Sequence, residues 1–314
     1  MNEATQIPAM KKLILLLPML LLFPACDLLI PRPSPASSKR ELTNRVVAVS
    51  YPLQFLTQRI ATDDIVVEFP AGEADDPRVW KPTIEDISQM QKADLIITNG
   101  PGIDYADWLI KVTLPDSKSC ATSESLALSD FIKVKGIDIV HSHGPEGEHS
   151  HPFMIAYSWL DPAVAKKQAS KITERLSKVY PQHADQFTAN LKKLGSELDT
   201  LKQDLASLSE KSIRVYSANP NTKFLTRAAG ISEVSAAWNV APDGTNEGQL
   251  VMTDQTTGDA GFVLLVQSPS PELAESLKAQ SKTAIKIDLL DKAPTTGDYF
   301  SVMQENIRQL SSAK

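Results

Sequence analysis

Between Pro181 and Lys211 apolar side chains return at alternating steps of four and three: Phe187, Leu191, Leu194, Leu198, Leu201, Leu205 and Leu208. That period places all seven on one stripe of an α-helix. Pro181 suits the first turn, where a missing N–H costs nothing, and Lys192, Lys193, Glu197, Asp199, Lys202 and Asp204 supply a polar surround. About 28 residues at about 1.5 Å each make a rod of about 42 Å, long enough to cross a whole domain. Three heptads also meet the minimum for a coiled-coil seam, so two readings stand: a seam, or a backbone helix joining two lobes. The flanking segments bear on that choice, because each alternates strands with helices.

Before the rod, Arg45–Ser50 reads as a strand and Tyr51-Pro52 opens a helix through Leu53, Leu56 and Ile60. Ile65–Phe69 is a second strand, and Thr83 caps a helix that runs to Lys92 with acids in its first turn. Strand Leu95–Thr98 and a turn at Asn99-Gly100-Pro101-Gly102 follow. Asp161 then caps a helix begun by Pro162, running through Ala165, Ala169, Ile172 and Leu176. After the rod come strand Ile213–Ser217, helix Lys223–Ala229 and strand Glu233–Ala237. Trp238–Asp259 reads as a loop with one helix. Strand Gly261–Val266, helix Pro271–Gln280, strand Ala284–Leu289 and helix Tyr299–Leu310 end the chain. Such alternation implies parallel sheets covered by helices. The predicted class is α/β: two doubly wound lobes, 45–180 and 212–314, joined by a linking helix at 181–211.

Ahead of the lobes, Lys11 and Lys12 precede an apolar run from Leu13 to Phe23 that ends at Pro24-Ala25-Cys26. A basic start, a short apolar stretch and a small residue before the cut describe a secretory signal over 1–25, and the run is too short to span a membrane about 30 Å thick. Met10 is an alternative start. The segment Leu22-Phe23-Pro24-Ala25-Cys26 resembles a bacterial lipobox, with Cys26 the lipidated residue; an ordinary signal with a chance cysteine is the other reading. Residues 26–44, rich in Pro and Ser, form a tether. Only Cys120 follows, so no disulfide framework exists, and a net charge of −6 argues against nucleic acid.

Several segments in order carry a family resemblance: Tyr51-Pro52-Leu53, Asp76-Pro77-Arg78-Val79-Trp80-Lys81-Pro82-Thr83, Ala93-Asp94-Leu95, Asn99-Gly100, Trp159-Leu160-Asp161-Pro162, Gly230-Ile231, Pro271-Glu272-Leu273-Ala274-Glu275, and Asp298–Met303 with Asn306. Together, over about Val46 to Leu310, they resemble the zinc- and manganese-binding proteins of ABC importers. The resemblance implies two α/β lobes joined by one long helix, a monomeric lipoprotein of the periplasm or cell envelope, a permease partner in the cytoplasmic membrane, and no catalysis. It also implies four metal ligands, of which Asp288 is kept, whereas Arg78, Tyr157 and Asn219 stand where ligands are expected. Guanidinium offers no lone pair to a metal, and phenol and carboxamide are poor ligands at neutral pH. An Arg78–Asp288 ion pair in the cleft is the expected replacement.

Four of the five histidines cluster instead in His141-Ser-His143-Gly-Pro-Glu146-Gly-Glu148-His149-Ser-His151. Two His-x-His pairs with carboxylates between them suit zinc, copper or nickel, and a solvated loop of weak affinity is the competing reading. His183 reads as a polar residue at the start of the rod. Two functions remain in view. One is the solute-binding component of a metal importer, for zinc rather than manganese and with no organic cofactor, holding metal through His141, His143, His149, His151 and Asp288. The other is a metal-blind lipoprotein of the same fold. No Ser-His-Asp, paired-carboxylate or phosphate-loop signature points to an enzyme.

Overall fold

The first strand, β1 (Arg45–Ala48), is fully apolar after its arginine, as a strand buried on both faces must be. The structure, a computed structural model, describes residues 42–100, 103, 116–142, 148–217, 219–235, 237–238, 250–251 and 260–313. The signal, Cys26, His143 and most of the tether lie outside them. Helix α1 (Tyr51–Ile60), β2 (Val66–Glu68), α2 (Ile84–Lys92), β3 (Leu95–Thr98) and β4 (Ser119–Ala121) complete the first lobe's frame. Its four strands lie in the order β2-β1-β3-β4, all parallel. Thr83 and Asp86 form the reciprocal cap that starts α2, as the sequence predicts. Gly100 has φ +112°, and a side chain there would collide with Ser123 Oγ, so the turn after β3 requires glycine.

Two antiparallel strands, β5 (Lys133–Ser142) and β6 (Glu148–Met154), then leave this sheet as a hairpin. The histidine tract is therefore strand and not loop wherever it is described. Its neck is closed by the Ile155 N–H, which donates to the Ile132 carbonyl at 3.0 Å.

Helix α3 (Pro162–Val179) begins at the predicted cap, with the Asp161 carboxylate accepting from Ala163 N at 3.0 Å. The rod itself, α4 (Ala184–Ala206), is shorter than its sequence pattern, because a separate 3-10 turn occupies Pro181–His183 and another follows at Ser207–Lys211. Its stripe faces this chain's own core: Phe187, Leu194, Leu198, Leu201, Leu205 and Leu208 are buried. Burial of that stripe makes it a backbone helix and removes the coiled-coil seam.

The second lobe comprises β7 (Arg214–Ser217), α5 (Lys223–Ala228), β8 (Ser232–Ser235), β9 (Ala237–Trp238), β10 (Leu250–Val251), β11 (Phe262–Leu265), α6 (Pro271–Ala279), β12 (Thr283–Lys286) and α7 (Tyr299–Ser311). Its main sheet runs β8-β7-β11-β12, all parallel, the same order as in the first lobe. β9 and β10 pair antiparallel, β9 at the start of the predicted loop-and-helix segment and β10 within it, and the segment's remaining residues lie outside those described. One buried apolar cluster runs through both lobes and α4. At its centre Phe55 of α1 stacks on Tyr299 of α7 with ring centroids 5.5 Å apart. No helix among the described residues is long and apolar enough to cross a membrane.

Candidate functional site

In sheets of this order the crevice lies beyond the carboxyl ends of the strands, where the connections part to opposite sides. The loops that follow the strands at those ends enclose a cleft of about 700 Å³ between the lobes. Asp76 and Arg78 reach it from the loop between β2 and α2, Gln267 from beyond β11, and Asp288, Asp291 and Lys292 from beyond β12.

Asp76-Pro77-Arg78 is a tight turn closed by its own side chains. The Asp76 carboxylate accepts from the Arg78 backbone N–H at 3.0 Å, from Nε at 2.9 Å and from Nη2 at 2.7 Å. Those bonds, from Arg78 above all, hold the Asp76 carboxyl below the usual carboxylate range, with Lys292 adding a smaller pull. The same contact raises the guanidinium further above its already high value. The Arg78–Asp288 pair expected from the sequence is thus replaced by Arg78–Asp76. A fork to a carboxylate two residues away needs no long closure, and Asp288 is engaged elsewhere: its Oδ1 accepts from Leu290 N at 2.7 Å. The Asp288 backbone is clamped by α7, its N–H donating to Asn306 Oδ1 and its carbonyl accepting from Asn306 Nδ2, both at 2.9 Å.

Tyr157 follows the hairpin and is only 4% exposed. Its hydroxyl donates to Asp291 Oδ1 at 2.9 Å. Burial, with the Asp291 charge beside it, pushes the phenol well above its ordinary value, so it stays protonated as a donor. Trp159 packs on Tyr157 at 5.2 Å between ring centroids, and its indole donates to the Leu289 carbonyl at 3.0 Å. The Tyr299 hydroxyl donates to the Trp159 carbonyl at 2.6 Å.

Asn219 does not line the cleft. Its Oδ1 accepts from Asn221 N at 2.9 Å and starts the turn before α5. His183 Nε2 lies 3.1 Å from Asp64 Oδ2, a partly exposed contact at the start of the rod. In the hairpin ladder His141 pairs directly with His149, and His151 pairs with Ile139. Among the described residues no three His, Cys, Asp or Glu side chains gather as a metal-binding group. The structure thus brings Arg78 and Asp288 to one cleft, ties the buried Tyr157 to that cleft through Asp291, and leaves Asn219 out of it. Sequence reasoning missed Asp76 and Asp291. Asp-Pro-Arg carries a turn signal that could have found Asp76. Asp291 lies 134 residues from Tyr157 with no pattern to join them.

The profile of the family described as zinc-uptake complex component A, periplasmic, matches residues 46–313. The zinc-binding lipoprotein AdcA of Streptococcus pneumoniae is 26% identical over 285 residues, covering 84% of this chain and 54% of AdcA. The manganese ABC transporter substrate-binding lipoprotein PsaA of the same organism is 25% identical over 294 residues, covering 88% of this chain and 92% of PsaA. The chain spans about half the length of AdcA, the other half lying outside the match. The crystal structure of the Zn(II)-bound ZnuA-like domain of AdcA superposes with a TM-score of 0.64 over 86% of this chain and 98% of that domain; at 18% identity, the likeness is one of fold.

Proposed function

The chain belongs to the zinc-uptake complex component A family of transport proteins, and from that premise we propose that it is the extracytoplasmic solute-binding component of an ABC importer with zinc as its cargo. The observation that carries this reading is the reach of the family match, which takes in both lobes, the linking helix and the hairpin. Its partner is a permease in the cytoplasmic membrane, to which a monomer anchored by lipid at Cys26 delivers the ion.

The cargo site in this reading is the hairpin, with His141, His143, His149 and His151 as donors. Support comes from the ladder, which sets His141 opposite His149. Imidazole nitrogen favours zinc over manganese, which prefers oxygen. Asp288 is the remaining candidate donor. A second reading, a lipoprotein that binds no metal, draws support from Arg78, whose cation stands in the cleft. Calorimetric zinc titration of the purified protein separates the two. Replacing all four tract histidines by alanine should abolish most zinc uptake, and Asp288→Ala should barely change it. The reverse ranking would place the ion in the cleft, and no uptake by the unsubstituted protein would favour the second reading.

A further inference from the structure

We propose that Arg78 is a built-in cation that excludes divalent metals from the inter-lobe cleft and, through Tyr157 and Asp291, keeps the lobes closed without a solute. The inference goes beyond the hairpin reading and does not depend on it.

The argument starts from donors and acceptors. A guanidinium keeps its proton at every useful pH and has only N–H groups to offer. Two of them are spent on Asp76, at 2.9 and 2.7 Å. The guanidinium charge also bears on the Tyr157 phenol, whose hydroxyl donates to Asp291 at 2.9 Å. In this row the cation acts on the phenol by its charge and the phenol donates to the carboxylate, so the cation's field strengthens that bond. The row begins in the loop between β2 and α2 and ends beyond β12, joining one lobe to the other.

What remains for a metal is little. Asp76 faces Arg78, Asp291 accepts from Tyr157, and Asp288 Oδ1 accepts from Leu290 N. A dication entering here would have to take carboxylates from a charge that cannot leave, and would itself be repelled by that charge at short range. Closure has independent support around the row: the Trp159 indole reaches Leu289, the Tyr299 hydroxyl reaches Trp159, and Phe55 stacks on Tyr299.

The test uses the full chain with the four tract histidines replaced by alanine, so that only the cleft is read. Zinc chloride is the probe, by calorimetry, with spin labels at Glu85→Cys and Glu275→Cys reporting the distance between lobes, and Cys26 and Cys120 changed to serine. With Arg78 present, zinc should not bind, and the distance distribution should be the same with zinc and with chelator. Arg78→His, which swaps the cation for a donor, should raise zinc affinity by about tenfold or more. Tyr157→Phe keeps the Asp76–Arg78 fork but cuts the row, and should broaden the distance distribution without admitting zinc. Zinc binding with Arg78 in place, lost on Asp288→Ala, would overturn the exclusion. A distance that shortens on adding zinc, or a distribution unmoved by Tyr157→Phe, would overturn the closure. Should Arg78→His not fold, Arg78→Lys retains the charge and must still exclude zinc, or the exclusion fails. A native chain that binds no zinc would count against the hairpin reading alone.

Discussion

Asp76 and Arg78 illustrate how a two-residue spacing outcompetes a long-range partner. Both lie in the cleft with Asp288, yet the fork closes locally, because a short loop loses less entropy than one that must join two lobes. The Asp76 carboxyl is held below its ordinary range by Arg78. Its folded state therefore binds fewer protons than the unfolded chain, and the stability it contributes is present above about pH 4 and lost as pH falls through the depressed value. Asp76→Asn should accordingly lower the melting temperature near neutrality, and the gap from the native protein should close as the pH falls through the depressed value. Parallel melting curves that stay apart at low pH would show that the carboxylate's charge is not what matters. The substitution chemistry at Arg78 and Tyr157 was legible in the sequence, since residue type alone decides what can ligate a metal. The partners were not, because Asp291 is fixed by the docking of two lobes and leaves no local trace.

Among elements, α4 was the most legible and the hairpin the least. The stripe from Phe187 to Leu208 is buried as its period requires, and only the ends differ, where 3-10 turns take over from the α-helix. Leu198 sits on that stripe at 1% exposure, while its neighbour Glu197 makes a surface pair with Arg59 at 2.6 Å. Leu198→Ala should cost about 2–5 kcal/mol in denaturant unfolding, against about 0–1 kcal/mol for breaking the Arg59–Glu197 pair. Equal losses would mean that the rod is not packed as described. The histidine tract reads as loop because its polar composition and its Gly144-Pro145 signal outweigh its alternation. Yet His141-Ser-His143 and His149-Ser-His151 do have the period of two that a strand needs. Cross-strand backbone bonds supply the pairing, and they ask nothing of hydrophobicity.

At the scale of the molecule, the alternation of elements predicted two lobes of one architecture with no repeated sequence, and the structure adds that they share one strand order. The hairpin stands apart from that repeat. Its strands pair only with each other, and the Ile132 carbonyl and Ile155 N–H pinch its base at 3.0 Å. The hairpin is thus a detachable cassette: both chain ends meet at its neck, so the frame need not stretch to bridge its removal. Replacing residues 133–154 with a short glycine-containing turn should leave far-ultraviolet circular dichroism of the lobes intact and the melting temperature within a few degrees, whereas a collapse of the fold would show the neck to be a support. By the same geometry the neck is a graft point. If the hairpin is the cargo site proposed above, hairpins with other donor sets exchanged there would alter the choice of ion without rebuilding the scaffold that presents it.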